Sequence, residues 1–512
     1  MVCSVSAIVP VGEQSHDLVN SGVLPGLRWP NFGSLETDVA GFYERNGYRL
    51  AWVRAGAPTP QAQALIGALQ NAALKGLDPD DYDGWRWKLS DAGPERFDLA
   101  LTISAMRYIH DVSCGRVDPA VFSFGFHFDG KQCDPAAALD ALLAAQDVEA
   151  ELARLEPPFE GYWRTQKALA VYLALAREDT DLTPGPARVE RLLRLVGDLG
   201  PNEALADGVK RFQIRHGIQA DGRIGKNTLK QLNTPLSQRV RQLQWVLERW
   251  RWVPHSFARP PIVVNIPEFR LRAYDNNYRP ELEMKVVVGK AYRHKTPVFS
   301  NNLTYVIFRP YWDVPLSIVR AELAPKMAQD PGYLAKNEYQ IVNARREVVS
   351  TQTVSAQMLA QLRSGSLFLR QIPGNKNALG PIKFLFPNEY DVYLHGTPAK
   401  SLFQQARRDF SHGCIRVEKP EELAQWVLRG LPGWDREQIE EAEHGPESRR
   451  VNLDRPIPVL IVYGTAVVEG GQVYFFDDIY GHDAALAELL DHGYPYSGWQ
   501  PTSAARGRRP RE

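Results

Sequence analysis

The sequence predicts a multidomain α+β protein, in which a helical first half precedes a β-rich domain that carries a helical insertion. The length of 512 residues exceeds what one ordinary hydrophobic core holds and suggests about three domains. In the first half, apolar residues recur at three- and four-residue steps, as in DPAAALDALLAAQDVEAELARL, which is the spacing of amphipathic helices. After Pro254, short runs rich in Val, Ile, Tyr and Phe are bounded by turn residues and predict strands.

The N-terminal part divides into a tail and a helical region. Residues 1–35 show no periodicity and are predicted to be a tail. Residues 36–180 are predicted to form an all-α scaffold domain, whose helices are separated at GLDPDDYDGW and LEPPFEGYW. We find no set of catalytic residues in this region.

A compact unit is predicted at residues 187–236, after the turn-rich stretch EDTDLTPGPARV. In GVKRFQIRHGIQADGRIGKNTLKQLN, Val209, Phe212 and Ile218 supply an apolar face and ADGRIG forms a tight turn. Thr228 is predicted to cap the helix that follows. The segment resembles the small three-helix peptidoglycan-binding module of bacterial wall enzymes; a helical spacer without a ligand is the alternative.

The β-rich domain is predicted to span residues 254–490, and residues 491–512 to be a C-terminal tail. Its strand-like runs include PPIVVNIPEFRLRAYD, ELEMKVVVGK and PVLIVYGTAVVEGGQVYFFDDIYG. Between such runs, residues 319–366 are mostly helical in pattern. An excursion of this length between strands is typical of a subdomain or a lid, so we predict a cap insertion there.

Charge and composition exclude several classes of function. Lys+Arg and Asp+Glu number 60 each, so the chain lacks the basic excess of a nucleic-acid-binding protein. No apolar window approaches the roughly 18 residues of a transmembrane helix. CxxC and HExxH do not occur, and we predict neither a metal site nor a cofactor.

The first residues, MVCSVSAIVPVGEQ, are a poor secretory signal because they lack a basic start and a long apolar run. SVSA nevertheless resembles the end of such a signal. A start codon assigned too far downstream would leave a remnant of this kind. The chain has four cysteines, too few for a disulfide scaffold. Cys114 and Cys133 are predicted as a possible pair in an oxidising compartment.

One stretch, YLHGTPAKSLFQQARRDFSHGCIRV, has the composition of a cysteine acyl-transfer site. A thiol attacks as thiolate and needs a base, and both His395 and His412 are candidates. His412 stands two residues before Cys414, so on a strand both side chains would share a face, whereas His395 ends the strand DVYLHG on a neighbouring segment. Gly396 and Gly413 remove side-chain bulk where the backbone meets a substrate, and N–H groups near Gly413 and Cys414 are candidates to hold an oxyanion. The alternative is a buried, unreactive cysteine beside structural histidines.

The motif resembles the signature of the L,D-transpeptidase (YkuD-type) catalytic domain, with HGT followed by SHGCIRV and Ser411 sixteen positions after His395. The stretches VVVGKAYRHKTPVF, RPYWDVPLSI and LRQIPGNKNALGPIKFLFPNEYDVYLHGTP further resemble the large Gram-negative, YcbB-like members. These members carry a helical scaffold, a peptidoglycan-binding module and a capping insertion, so the resemblance covers about residues 36–490. Val417 departs from the Asn that many members have at this position.

The resemblance implies roles for individual residues. Cys414 is the nucleophile, and His395 is the general base, held by a hydrogen bond to the Gly396 carbonyl. The positions that shape the site and its oxyanion hole are His412, Gly413, Gly396, Ser411 and Arg416. Weaker predictions place Asn377, Lys383 and Phe384 in the substrate groove and Tyr311 and Trp312 in its wall. A structural turn around Asn377 and core packing of Tyr311 and Trp312 are the alternatives, and Arg407 and Arg408 are predicted to lie on a solvated face.

The activity implied is peptidoglycan L,D-transpeptidation in cell wall biogenesis, with peptidoglycan stem peptides and glycan as partners and other wall-synthesis enzymes as further ones. Cys414 would attack the carbonyl of the third stem residue, release the terminal D-alanine and pass the acyl group to a neighbouring stem as a 3→3 cross-link. Carbapenems would acylate the same thiol, and the location would be the periplasm. The alternatives are hydrolysis as a carboxypeptidase or endopeptidase, attachment of a lipoprotein, and a catalytically idle wall-binding scaffold.

Overall fold

The computed structural model describes residues 13–83, 86, 88–126, 134–183, 185–330 and 332–493. They divide into two compact units. The first unit takes the described residues up to 124, those from 134 to 256, and 464–493. The second unit takes residues 125–126 and 257–463. Cys3 and Cys133 lie outside the described residues, whereas Cys114 is in a disulfide.

The first unit is mainly helical. Its elements up to residue 250 are α1 (Glu13–Asn20), α2 (Glu36–Arg45), β1 (Val53–Arg54), β2 (Ala57–Pro58), α3 (Pro60–Gln70), α4 (Leu89–Ala92), α5 (Pro94–Cys114), α6 (Pro135–Ala144), α7 (Val148–Arg154), α8 (Glu160–Glu178), α9 (Pro186–Leu195), α10 (Leu205–Arg215), α11 (Lys226–Leu232) and α12 (Leu236–Trp250). Side chains of Thr59, Asp134 and Asp147 cap α3, α6 and α7 by accepting a backbone N–H. Helix α5 is buried along most of its length and forms the centre of the scaffold region.

Part of the predicted N-terminal tail is folded, which corrects the prediction for residues 13–35. Helix α1 lies there, and Val19, Leu24 and Phe32 are buried in the same core as α5. Val23 and Asn31 form a β-bridge. The apolar residues of this stretch have no regular period, so only their packing against helices distant in sequence shows that they are core.

Three helices, α9 to α11, lie in the predicted 187–236 unit. The buried amide of Gln213 holds the ADGRIG turn, because it donates to Asp221 Oδ1 at 2.8 Å and accepts from Gly222 N–H at 2.8 Å. Thr228 does not cap α11 as predicted. Gly225 is the N-cap, and Thr228 is buried within the helix, where Gln213 lies 3.1 Å from its hydroxyl.

The second unit is built on a nine-stranded sheet. The elements of this unit are β3 (Ile262–Asn265), β4 (Arg270–Tyr274), β5 (Pro280–Gly289), β6 (Phe299–Phe308), β7 (Trp312–Asp313), α13 (Leu316–Ile318), a π turn (Val319–Leu323), α14 (Ala324–Gln329), α15 (Tyr333–Lys336), β8 (Tyr339–Val342), β9 (Val348–Ser350), α16 (Ala356–Ser364), β10 (Phe368–Gln371), β11 (Ile382–Leu385), β12 (Leu394–His395), β13 (Asp409–Ser411), β14 (Ile415–Val417), α17 (Pro420–Leu428), α18 (Arg436–His444) and β15 (Arg449–Val462). The strand order is β13-β5-β14-β12-β11-β6-β15-β3-β4. Strand β4 also pairs with β5, so the sheet closes on itself.

Residues 312–371, which we call the inserted subdomain, contain a second sheet of four antiparallel strands in the order β7-β10-β8-β9. The prediction of a mostly helical insertion at 319–366 is therefore incomplete. The strands EYQIV and LFLRQ are too short to show a period of two, and their pairing with each other joins residues 339–342 to residues 368–371. Leu323, Met327, Ile341, Leu362 and Leu369 belong to a core of the subdomain's own.

The last described elements are β16 (Ala466–Glu469), β17 (Gln472–Phe475) and α19 (His482–His492). They lie in the first unit, whereas the sequence predicts them in the β-rich domain of 254–490. The Phe475 ring explains this, because it lies 5.3 Å from the Tyr172 ring of α8 and 4.8 Å from the Arg239 guanidinium of α12. Among the described helices, none is both long and apolar enough to span a bilayer.

Candidate active site

The register of three strands places three polar side chains on one face of the large sheet. Lys383 of β11 pairs with His395 of β12, which pairs with Arg416 of β14, so their side chains share a face. Tyr393 and Cys414 directly precede β12 and β14, and Tyr393 forms hydrogen bonds with Cys414 and lies near Lys383 and His395. All five residues are buried or half-buried.

Cys414 is a half-buried thiol that is protonated at rest. Burial raises its pKa, and hydrogen bonds from Tyr393 and the charge of Lys383 offset this only in part. The Sγ atom lies 3.6 Å from the backbone carbonyl oxygen of Asp391, to which the thiol donates. A group in this state needs a base before it attacks.

His395 is a buried, neutral imidazole. Its Nδ1 lies 2.6 Å from the Gly396 carbonyl oxygen, the contact that the motif predicts. Because a carbonyl only accepts, Nδ1 carries the proton and the lone pair is on Nε2. Burial lowers the pKa of His395 to about 3, and the positive charges of Arg416 and Lys383 act in the same direction. The ring is therefore an unprotonated base at neutral pH.

The turn that precedes the nucleophile is held by hydrogen bonds on both sides. The Ser411 hydroxyl donates to the Cys414 carbonyl at 2.6 Å and accepts from Gly413 N–H at 3.1 Å. The Thr296 hydroxyl donates to the Gly413 carbonyl at 2.7 Å. Gly413 has φ +120°, a conformation that side chains other than hydrogen rarely allow. Ser411 occupies the Gly413 N–H, whereas the Cys414 N–H meets no acceptor within the described residues.

The side chain of His412 contacts different residues from those around His395. Its Nε2 lies 2.6 Å from Glu322 Oε1, on the π turn of the inserted subdomain, and its ring lies 5.0 Å from the His294 ring. Of the two histidines that sequence alone left open as base, His395 is the one beside Tyr393, the hydrogen-bond partner of Cys414. His412 instead joins the nucleophile's turn to the inserted subdomain.

The similarity to known proteins agrees with this geometry. Residues 259–440 match the L,D-transpeptidase catalytic domain, YkuD, and residues 37–169 match a scaffold domain. The resemblance inferred from HGT and SHGCIRV is thereby confirmed, as is the α+β class with a helical N-terminal region.

Two individual proteins show the extent of the similarity. A relative from Haemophilus influenzae, described as "Putative L,D-transpeptidase", is 33% identical over 230 residues, which are 44% of this chain and 46% of the relative. The match thus spans about half the length of the curated relative. The crystal structure of L,D-transpeptidase (Yku) from Stackebrandtia nassauensis is 15% identical and covers 54% of this chain and 89% of its own. Its TM-score of 0.21 is too low to support an argument.

Tyr393 is a residue of the L,D-transpeptidase site that sequence reasoning missed. Its ring lies 5.6 Å from the His395 ring, and Lys383 Nζ lies 3.7 Å from its centroid, a cation–π distance. Burial raises the pKa of Tyr393, and the hydrogen bond and charge of Cys414 raise it further. Its position two residues before His395, just ahead of β12, is the sequence signal that would have identified it.

Lys383 is the one predicted groove residue of β11 whose side chain lies in the cluster. Burial lowers the pKa of Lys383, while Cys414 raises it. Arg416 is half-buried, and its Nε has no hydrogen-bond partner within the described residues. These two cations bring positive charge to Cys414, and the carboxylate of Asp391 also acts on the thiol and on Lys383.

Two predicted groove residues are not available to a substrate. Asn377 is fully buried, and its amide donates to the carbonyls of Pro310 at 3.0 Å and Ile372 at 2.9 Å while accepting from Leu379 N–H. The structural-turn interpretation of Asn377 therefore fits the structure. Phe384 points to the opposite face of the sheet from Lys383 and is fully buried in the core.

The predicted wall residues Tyr311 and Trp312 lie at the start of the inserted subdomain. Tyr311 is 44% exposed, and the Arg370 guanidinium lies 4.9 Å from its ring. Trp312 is half-buried and packs against the subdomain's core, with its ring 6.4 Å from that of Tyr339. Core packing therefore accounts for Trp312, and Tyr311 is the one of the pair open to a ligand.

The loop between the two motif halves is anchored by an arginine. Arg407 is exposed and pairs with Asp409, as predicted for a solvated face. Arg408 contradicts that prediction, because it is buried and donates to the carbonyls of Val286, Phe269 and Gln405. The buried Arg408 side chain thus holds the loop against β5 through hydrogen bonds.

The strand end that carries His395 requires a glycine beside it. Gly380 has φ +64°, and a Cβ there would lie 2.5 Å from Thr397 N. The close approach lets the chain around Gly380 pack against the Gly396–Thr397 backbone. Among the described residues, no group of three or more His, Cys, Asp or Glu has the arrangement of a metal site.

Proposed function

We propose that this protein is a peptidoglycan L,D-transpeptidase, which forms 3→3 cross-links through a thioester on Cys414. The observation that carries the proposal is the pairing of β12 with β14, which sets the neutral base His395 and the thiol of Cys414 on neighbouring segments of an L,D-transpeptidase domain. The substrate would be a tetrapeptide stem, and the enzyme would act in the wall compartment, the periplasm.

The first half-reaction transfers the acyl group to sulfur. His395 Nε2 takes the thiol proton, and the charges of Lys383 and Arg416 stabilise the thiolate as it forms. Sulfur attacks the carbonyl carbon of the third stem residue, and the Cys414 N–H donates to the resulting oxyanion. The tetrahedral intermediate collapses to a thioester, and the imidazolium of His395 gives its proton to the departing amine of D-alanine.

The second half-reaction restores the enzyme. The side-chain amine of a neighbouring stem's third residue attacks the thioester carbonyl, and His395 accepts the proton released by the amine. The C–S bond breaks, the amide of the cross-link forms, and the thiolate takes the proton back. If water replaced the amine, the same steps would give a carboxypeptidase, and an amine of a lipoprotein would give wall attachment.

Two further parts of the chain have proposed roles in this function. The 187–236 helices would bind the wall, and the inserted subdomain would act as a cap beside the site. Binding of the protein to purified sacculi, compared with a variant in which exposed side chains of α10 and α11 are replaced, tests the first of these roles.

The experiment that tests the activity is product analysis. The purified protein is incubated with tetrapeptide-containing muropeptides, and products are identified by mass spectrometry. We expect 3→3 dimers from the wild type and none from Cys414→Ala, and tripeptide alone would favour hydrolysis. Labelling by a fluorescent carbapenem, lost in Cys414→Ala, distinguishes the enzyme from an idle scaffold, because an idle site would not label.

A further inference from the structure

A carboxylate of the inserted subdomain contacts the nucleophile's turn. Glu322 lies in the π turn Val319–Leu323, and its Oε1 is 2.6 Å from Nε2 of His412. His412 stands two residues before Cys414, between Ser411 and Gly413. Sequence analysis singles out His412 but offers no partner for it, since Glu322 is 90 positions away.

The local sequence explains why Glu322 sits in a π turn. Pro325 follows within α14, has no N–H to donate to residue 321, and its ring would clash with that residue's carbonyl in an α-helix. A wider turn before Pro325 relieves both problems. Such single π turns inside helices are frequent at functional sites, because they rotate one side chain out of the regular series.

The charges around this contact favour an ionised carboxylate. Burial acts to raise the pKa of Glu322, but the hydrogen bond and charge of His412 lower it, as do Lys290 and Lys326. The pair is therefore a charge-assisted hydrogen bond, stronger than one between neutral groups. The ring of His294, 5.0 Å from that of His412 and tilted by 54°, packs beside it.

The turn that receives this contact is already fixed on its other sides. Ser411 and Thr296 hold the Gly413 peptide and the Cys414 carbonyl, as described above. The His412 side chain adds a further connection, which leads to the inserted subdomain. We propose that Glu322 is a positioning residue: through His412 it holds the turn that presents the Cys414 thiol and N–H to the acyl group.

This inference rests on the proposed acyl transfer at Cys414, and its test separates positioning from general stability. The second-order rate constant for acylation by a fluorescent carbapenem is measured for wild type, Glu322→Ala, Glu322→Gln and Glu347→Gln. Glu347 is an exposed acid of the same subdomain and serves as the matched control. Alkylation of Cys414 by iodoacetamide and the melting temperature are recorded for each variant.

We expect Glu322→Ala to acylate about tenfold to a hundredfold more slowly, which is the usual effect of removing a hydrogen bond to a charged group. Alkylation and the melting temperature should stay near wild type, because a small alkylating reagent needs no oxyanion donor. Glu322→Gln should recover most of the rate, since its carbonyl still accepts from Nε2–H, and Glu347→Gln should be unchanged. Acylation of Glu322→Ala at the wild-type rate would overturn the inference, as would an equal loss of alkylation.

A double-mutant cycle tests whether Glu322 acts through His412. If it does, Glu322→Ala/His412→Ala acylates no more slowly than His412→Ala alone, whereas multiplying effects would contradict the inference. Hydrogen exchange of the peptide that contains Ser411 to Cys414 provides a readout that does not depend on acyl transfer. Faster exchange in Glu322→Ala than in Glu347→Gln would support positioning even if wild type does not acylate, and equal exchange would refute it. Failure of wild type to acylate would count against the proposed function alone.

Discussion

The protonation states of Cys414 and His395 lead to a prediction for the pH dependence of thiol reactivity. Two mechanisms compete: a preformed thiolate–imidazolium pair, and a neutral thiol that His395 deprotonates only as it attacks. The structure favours the second, because burial raises the pKa of Cys414 and lowers that of His395 to about 3. At neutral pH, Cys414 is therefore a neutral thiol and His395 a neutral imidazole.

The size of the effect follows from the thiolate fraction. A thiol with an ordinary pKa of about 8.5 is roughly 3% thiolate at pH 7, and a raised pKa makes the fraction smaller still. The rate of alkylation by iodoacetamide should therefore rise about tenfold for each pH unit between 6 and 8, without a plateau. Lys383→Met should slow alkylation at each pH, because the charge of Lys383 lowers the pKa of Cys414.

The assay is intact-mass spectrometry of the full-length protein after timed exposure to iodoacetamide from pH 5 to 10. Cys414→Ala gives the background from other cysteines. A plateau that begins below pH 8, together with the ultraviolet absorbance of a thiolate that Cys414→Ala lacks, would refute the reasoning, since it would show a thiolate already formed near neutrality. If the plateau is also present in His395→Asn, a group other than His395 stabilises the thiolate.

Three further predictions concern the residues that hold the site. Thr296→Val removes the 2.7 Å hydrogen bond to the Gly413 carbonyl and should slow carbapenem acylation about tenfold. Thr304→Val in strand β6 is the control, and equal acylation rates for the two variants would contradict this prediction. Asn377→Ala leaves buried carbonyls unpaired and should lower the free energy of unfolding by about 2 kcal/mol or more in urea denaturation. Unchanged stability with a raised KM would instead indicate a substrate contact. The pKa of His395, about 3 when folded, is depressed, so its stabilising contribution is full above the unfolded pKa of about 6.5 and falls by about 1.4 kcal/mol per pH unit below it. His395→Asn should lack this loss, and parallel urea midpoints for both proteins from pH 7 to 4 would count against it.

The candidate site was predictable where it depends on local pattern. Cys414 and His395 stand in a motif whose spacing resembles the signature of the matched domain. The same resemblance implies the hydrogen bond from His395 to the Gly396 carbonyl, which the structure contains. Strand alternation, by contrast, predicts His412 on the face of Cys414, whereas His412 contacts Glu322 of the inserted subdomain.

The sequence by itself predicted Cys414 as the nucleophile, the candidate bases and the division into helical and β-rich parts, since these depend on residue type and on periods of 2 and 3.6. Only the tertiary structure decided that His395 lies beside Tyr393, the hydrogen-bond partner of Cys414, and that His412 is bound by Glu322. Only the structure shows that Asn377 and Phe384 are buried and that strands β16 and β17 belong to the first unit. The physical reason is that these outcomes depend on strand pairing and on contacts between residues far apart in the chain. Such contacts leave no regular spacing in the sequence.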